Sequence, residues 1–331
     1  MPGTLAPVSP DRLDELVKRM AGTRIAVVGD VMLDRYLVGD AERISAEAPV
    51  PVVTVKSERD APGGAANVAA SIAATGAIPL LAGCIGDDPA GMALNGALAA
   101  LGIATSGLVT VPGRPTTCKT RLIAQGQQVV RIDSEVDNRL PDRFRDALAA
   151  AANGRVAEAD VLLIEDYDKG VMDASFASEL IAAARARPIP IVVDPKLRHF
   201  FAFSGATVFK PNRAELDAAF AAQFTGDDAD LENARRRVGA EHLVLTLGAE
   251  GVALVSPGQP IRRGVGIARE VFDVSGAGDS VAAWIALSLA AGADMGEAAW
   301  LANIAAGLKV GKRGTAVVTP EEMAAAAKAM A

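Results

Sequence analysis

Short β-branched runs alternate along the chain with longer stretches rich in alanine. RIAVVGD (24–30), AIPLLAGCIG (77–86), ADVLLIEDY (159–167), PIVVD (190–194), ATVFKPN (206–212) and HLVLTLG (242–248) are continuous apolar runs closed by polar residues or glycine. Such runs mark strands buried on both faces. Between them, AANVAASIAATG (65–76) and the segments near 88–101, 173–187, 213–222 and 228–239 have helical composition, and SVAAWIALSLAA (280–291) reads the same way. Strand and helix in alternation predict an α/β fold with a mainly parallel central sheet flanked by helices on both faces. Ligands of such sheets gather at the carboxyl ends of the strands. Asp30, Asp166, Asp194, Asn212 and Gly248 all fall there.

Two regions break the rhythm. Residues 36–56 look extended, and 116–133 has the pattern of a β-hairpin with Gln-Gly-Gln at its turn. With no helices between them, these strands predict a small separate sheet. It reads either as a lid over a cleft or as an edge hairpin without a role. No internal repeat or interdomain linker interrupts residues 1–331, so one domain with these lid segments inserted is expected.

Composition narrows the function. A net charge of -7 excludes a general nucleic-acid binder, which needs a basic face. Cys84 and Cys118 lie far apart without metal-ligand spacing and read as reduced thiols of a cytoplasmic protein. His199 and His242 are isolated and read as structural. The first twenty residues lack the apolar core of a signal peptide, and no run is apolar enough for a clear membrane span.

The candidate chemistry sits in four motifs. VFDVSGAGDS (271–280) places Gly276, Ala277 and Gly278 before Asp279 at a loop-to-helix junction. The first turn of a helix carries unpaired N–H groups and partial positive charge, and glycine lets an anion approach them. A plain N-cap role for Asp279 remains the alternative. PGGAANVA (62–69) brings Gly63 and Gly64 to another helix, with Asn67 following. With Asp30 and Asp34 of GDVMLD, it offers acceptors and a donor for several hydroxyls, as a sugar requires. KPNRAE (210–215) spaces Asn212 and Glu215 three apart at a helix start. That spacing suits either a capping box or, through water, a magnesium ion beside nucleotide phosphates. Neither a Walker A loop nor a dinucleotide fingerprint is present.

GDVMLD, PGGAANVA, KPNRAE and DVSGAGDS, in this order, resemble the ribokinase-like sugar kinases of the phosphofructokinase B type over nearly the whole chain. The resemblance implies ATP and Mg2+, with a monovalent cation as a further candidate. It implies that Asp279 is the catalytic base and that Gly276, Ala277 and Gly278 form an anion hole. Asn212 and Glu215 would serve metal and nucleotide, beside nucleotide contacts from Lys210, Arg213, Thr246, Gly248 and Gly251. Within that family, GDVMLDRYLVGDAERISAEAPVPVV with DYDKG and VVDPK is most similar to kinases that phosphorylate C1 of D-glycero-β-D-manno-heptose 7-phosphate, on the route to ADP-heptose and lipopolysaccharide. The chain has DVSGAGD where many relatives have DTTGAGD, but Ser275 keeps a hydroxyl. Such kinases are often fused to a nucleotidyltransferase carrying H-x-G-H. His199 and His242 cannot form that motif, so only the kinase activity is expected.

A phosphorylated acceptor needs cations, since a buried dianion without partners is costly. Lys119, Arg121 and Arg131 on the hairpin, Lys169 after the 159–167 strand, and Lys196 and Arg198 after the 190–194 strand are the candidates, with Asp166 nearby. Lys169 ranks first because it follows a strand end directly and Gly170 leaves room beside it. A homodimer paired through the lid is also expected from the family. Kinases of fructose or tagatose phosphate, a nucleoside kinase, and a non-catalytic sugar-phosphate-binding regulator are the alternatives left open.

Overall fold

The computed structural model describes residues 3–224, 227–267, 272–312 and 316–330. A ten-stranded sheet runs through the molecule in the order Gly3–Thr4, Arg262–Gly264, Val252–Val255, His242–Thr246, Val208–Phe209, Ile191–Asp194, Val161–Glu165, Arg24–Gly29, Ile78–Gly86, Leu108–Val111. Seven neighbouring pairs are parallel. The exception is Val252–Val255, antiparallel to both of its neighbours. Only a short 3-10 turn, Gly248–Glu250, separates it from His242–Thr246, and a parallel return needs a dozen or more residues.

Alternation along single strands feeds two cores, one on each face of the sheet. Ile25 and Val27 join Trp284, Leu301 and the helices Ala65–Ala73, Ala277–Ala290 and Met295–Val310. Ala26 and Val28 join Phe176, Phe200 and Phe209 with the helices Asp142–Val156 and Ala174–Ala186. Each fully buried side chain of this size contributes about 1.5–3 kcal/mol.

The second sheet has four strands in the order Pro51–Gly64, Val31–Ile44, Cys118–Ala124, Gln127–Ser134. The 36–56 segment is therefore not one extended piece. It belongs to two long strands joined through residues 45–50, and both run further than the sequence pattern implied. The hairpin turn is where expected: Gln125 and Gly126 have φ of 51° and 78°, the left-handed pair of a two-residue turn. The chain leaves the central sheet at Asp30 and returns at Gly64 straight into the Ala65–Ala73 helix. Gly64 has φ of 54°, and a Cβ there would lie 2.5 Å from the Asp30 carbonyl oxygen. The two sheets thus meet at one seam, and Asp30, Asp34, Gly63, Gly64 and Asn67 lie along it.

Candidate active site

The Ala277–Ala290 helix begins at Gly276, whose φ of 72° is in the left-handed region and which makes no side-chain cap. Asp279 is not the N-cap. It is the third helical residue, and its buried carboxylate turns inward. Oδ2 accepts from Asn67 Nδ2 at 2.6 Å and Oδ1 accepts from the Tyr167 hydroxyl at 2.5 Å. Burial and the surrounding carboxylates hold the Tyr167 phenol well above its ordinary pKa, so it stays protonated and donates.

Behind Asp279 lie two further acids. Single carboxylate oxygens of Glu165, Asp194 and Asp279 all fall within 4.8 Å of one another. Burial pushes Asp194 up to about 6 against the pull of Lys210, whose Nζ is 2.9 Å away. Burial disfavours the Lys210 ammonium, but Asp194 and Glu215 outweigh it and raise its pKa. Glu165 is fully buried, and among the described residues neither of its carboxyl oxygens has a hydrogen-bond partner. Its pKa stands well above the carboxylate range, chiefly through desolvation and then through Asp194.

These groups open onto a cavity of about 590 Å3, a size that accommodates a nucleotide-scale ligand. Its lining includes the polar residues Lys196, Lys210, Asn212 and Glu215 together with Gly276, Ala277, Gly278 and Asp279. Val252, Ile267, Val274 and Val310 give it apolar lining, and Thr246, Gly248 and Gly251 also line it. Asn212 and Glu215 form a complete capping box: Asn212 Oδ1 accepts from the Glu215 amide and Glu215 Oε2 accepts from the Asn212 amide. Both residues still line the cavity. Arg213, placed with the nucleotide from sequence, does not line it. As the first residue of the capped helix it is exposed and faces Glu250. Lys196, placed with the sugar from sequence, instead lines this cavity, pairs with Glu215 and lies 5.2 Å from the centre of the Tyr167 ring.

The remaining candidates lie across Asp279 on the seam side. Asp30 is buried and accepts from the amides of Tyr167 and Lys169 at 2.7 and 3.2 Å. Burial raises its pKa to about 6 and that of Asp166 to about 7. Asp34 pairs with Arg121 at 2.6 Å. Lys119 and Lys169 converge on Glu135, at 3.0 and 2.7 Å. Two cations do not join them: Arg131 is half exposed and bound to Asp133, and Arg198 turns to Asp137.

Sequence reasoning missed Tyr167, Glu165, Glu135 and Lys309. Each left a trace. Glu165 and Tyr167 are polar residues closing a buried strand, Glu135 continues the two-residue spacing of Arg131 and Asp133, and Lys309 is a lone charge in an apolar helical run. Lys309 is buried under the glycine turn, where burial lowers its pKa.

A fold of this kind with a glycine turn, an inward carboxylate and a mixed cavity describes a class of small-molecule kinases. Residues 22–322 match the pfkB family of carbohydrate kinases, and the chain belongs to that family. As a carbohydrate kinase of this family it is a phosphotransferase with an alcohol group as acceptor. It is 46% identical over 311 residues to the bifunctional protein HldE of Azorhizobium caulinodans and 45% identical over 326 residues to that of Caulobacter vibrioides. Those alignments cover 91% and 96% of this chain but 64% and 66% of the relatives, so the chain spans just under two thirds of their length. The fold is ribokinase-like. An Arabidopsis thaliana ribokinase complexed with ribose and ATP superposes with a TM-score of 0.72 at 20% identity, covering 93% of this chain and 99% of that one. Escherichia coli phosphofructokinase-2 in complex with fructose-6-phosphate superposes at 0.74 with 19% identity and the same coverage. Among the described residues, no helix is long and apolar enough to cross a membrane.

Proposed function

We propose that the chain transfers the γ-phosphoryl group of ATP to the C1 hydroxyl of D-glycero-β-D-manno-heptose 7-phosphate, giving the 1,7-bisphosphate used for ADP-heptose and lipopolysaccharide. The observation that carries the kinase chemistry is the Asp279 carboxylate, fixed by Asn67 and Tyr167 where a helix N-terminus meets the cavity. ATP lies with its base against the apolar lining of the cavity and its phosphates between Lys196, Lys210 and the 276–278 amides. The sugar sits on the seam side, its hydroxyls held by Asp30, Asp34 and Asn67, with the backbone of Gly63 and Gly64 beside it. Asp279 accepts the C1 hydroxyl proton as that oxygen bonds to the γ-phosphorus and the bond to ADP breaks. The amides of 276–278 meet charge developing on the phosphoryl oxygens. Positioning and charge neutralisation of this kind dominate phosphoryl transfer.

The acid wall of the cavity suits a divalent cation. Asp194 and Glu215 face it, and the unpartnered oxygens of Glu165 lie just behind. Glu215 and Asn212 would hold Mg2+ through water, because both are committed to the capping box. When bound, the ion neutralises phosphate charge.

The heptose phosphate is favoured by the resemblance of the 29–53 stretch to heptose kinases and by the convergence of Lys119 and Lys169 on one point. We further read the chain as one domain acting in the cytoplasm, with the second sheet as a lid. Its exposed Val55, Val130 and Ile132 would form a homodimer contact, which sedimentation would test. The deciding experiment presents ATP with free heptose, heptose 7-phosphate and fructose 6-phosphate, and identifies products by phosphorus NMR. Efficient use of the heptose 7-phosphate alone, with a new anomeric phosphate signal, is expected. Equal use of the free heptose, or preference for fructose 6-phosphate, would reject the assignment.

A further inference from the structure

Glu135 occupies an unusual place. Its Oε1 accepts from Lys169 Nζ at 2.7 Å and its Oε2 from Lys119 Nζ at 3.0 Å. The two lysines come from different sheets: Lys119 from the Cys118–Ala124 strand of the lid, Lys169 from the loop after Val161–Glu165 of the central sheet. One carboxylate therefore closes the seam between them. Desolvation works against its charge, but the two lysines outweigh it and hold its pKa below the ordinary value.

Its neighbour Asp133 is differently bound. Asp133 accepts from Arg131 Nε and a terminal nitrogen at 2.9 and 3.0 Å, besides Lys119 at 3.1 Å. A two-point arginine contact of this kind is specific and strong. Glu135 has no such anchor: among the described residues its ion-pair partners are the two lysines. It also stands one residue past the Gln127–Ser134 strand, in a segment without ladder hydrogen bonds. Of the two acids, Glu135 is the one free to swing away. Arg114 adds charge beside it, donating to the Lys169 carbonyl oxygen. With Glu135 removed, Lys119 keeps Asp133 as a partner, whereas Lys169 loses the one ion-pair partner it has among the described residues and is left able to take an anion.

We propose that Glu135 is a specificity-determining residue, an internal carboxylate that holds in the empty enzyme the place taken by the phosphate of a phosphorylated sugar. This rests on the reading above that Lys119 and Lys169 receive that phosphate. A phosphate monoester carries up to two negative charges and three acceptor oxygens, so it outcompetes one carboxylate for two ammonium groups. An uncharged sugar cannot, and the lysines stay closed on Glu135. The same competition aids release, since Glu135 recaptures the lysines as product leaves.

The test is Glu135→Gln, which keeps the shape and removes the charge. Its KM for heptose 7-phosphate should fall about two- to fivefold, the scale of one part-exposed ion pair, while the KM for free heptose stays as in wild type. Inorganic phosphate should become a competitive inhibitor against the sugar phosphate with a Ki lower by the same factor. Glu135→Asp, which retains the competing charge, should stay near wild type. An unchanged or raised KM for heptose 7-phosphate in Glu135→Gln overturns the proposal, because Glu135 would then only order the lysines. Equal use of heptose and its 7-phosphate by the wild-type enzyme is a different failure. It removes the phosphate reading itself, and this proposal with it.

Discussion

Tyr167 donates its hydroxyl hydrogen to Asp279 across 2.5 Å, although 112 residues separate them. The contact fixes which of the two carries the proton. The phenol is held far above its ordinary pKa by burial and by Asp279, Glu165 and Asp194, so it keeps its proton. Asp279 is the acceptor in both of its contacts, and Asn67 and Tyr167 fix both of its oxygens. On the mechanism proposed above, Tyr167 occupies in the empty enzyme a position from which a substrate hydroxyl would donate.

Asp279→Asn keeps the volume and removes the acceptor charge. General-base contributions run about a hundred- to ten-thousand-fold, and kcat should fall in that range with the KM for ATP little changed. Tyr167→Phe removes orientation without removing the base. Its loss should be smaller, about tenfold in kcat, the worth of one charge-assisted hydrogen bond. Turnover of Asp279→Asn within about threefold of wild type would reject the assignment.

Gly276→Ala tests the turn itself. The residue needs φ of 72°, and its Cβ would lie 2.9 Å from Asn67 Nδ2 and 3.3 Å from Lys309 Cε. Strain at such a position costs on the order of 1–3 kcal/mol. Because Asn67 must shift, one donor to Asp279 is lost as well. We expect a lower melting temperature together with a kcat loss of at least about tenfold. A stable variant with normal kcat would show that the glycine is not required there.

The contrast between these residues shows what the sequence carries. Glycines before a carboxylate, and an asparagine three residues before a glutamate, are local patterns, and the sheet order brings both to one cavity. Central strands such as Val161–Glu165 are legible because burial on both faces leaves a continuous apolar run up to the closing Glu165. Tyr167 was not legible: its partner Asp279 stands on the Ala277–Ala290 helix packed against the sheet, and no local spacing encodes that packing. The antiparallel Val252–Val255 strand was not read from the sequence: four apolar residues directly after a short turn are too few to stand out as an element of their own. The surroundings of Lys196 and Arg213 were not legible either, because a helix start or strand end fixes where a residue is, not which way its long side chain turns.

Asp30 gives a pH dependence of known sign. Burial raises its folded pKa to about 6, against about 3.9 in an unfolded chain. The folded state therefore binds the proton more tightly. The resulting stability is fully present below about pH 4 and is lost as pH rises to about 6, at roughly 1.4 kcal/mol per pH unit within that window. Asp30→Asn cannot titrate. Urea unfolding of both proteins between pH 4 and pH 7 should show the wild type losing ground to the variant as pH rises. A difference independent of pH would mean that Asp30 does not take up a proton on folding.

Lys169 and Lys196 should fail in opposite ways. Lys169 lies on the seam side, 2.7 Å from Glu135, whereas Lys196 lines the cavity beside Glu215 and the Tyr167 ring. A charged hydrogen bond is worth roughly 1.5–3 kcal/mol, or about ten- to a hundredfold in affinity. Lys169→Met should raise the KM for heptose 7-phosphate by that factor and leave the KM for ATP unchanged. Lys196→Met should raise the KM for ATP and leave the KM for the sugar phosphate within about twofold, a split that uniform destabilisation cannot imitate. Glu215 keeps its capping hydrogen bond to the Asn212 amide in that variant, so the helix start survives. If Lys196→Met instead weakened the sugar phosphate alone, the charged lining of the cavity would belong to the acceptor, and the nucleotide would have to lie elsewhere.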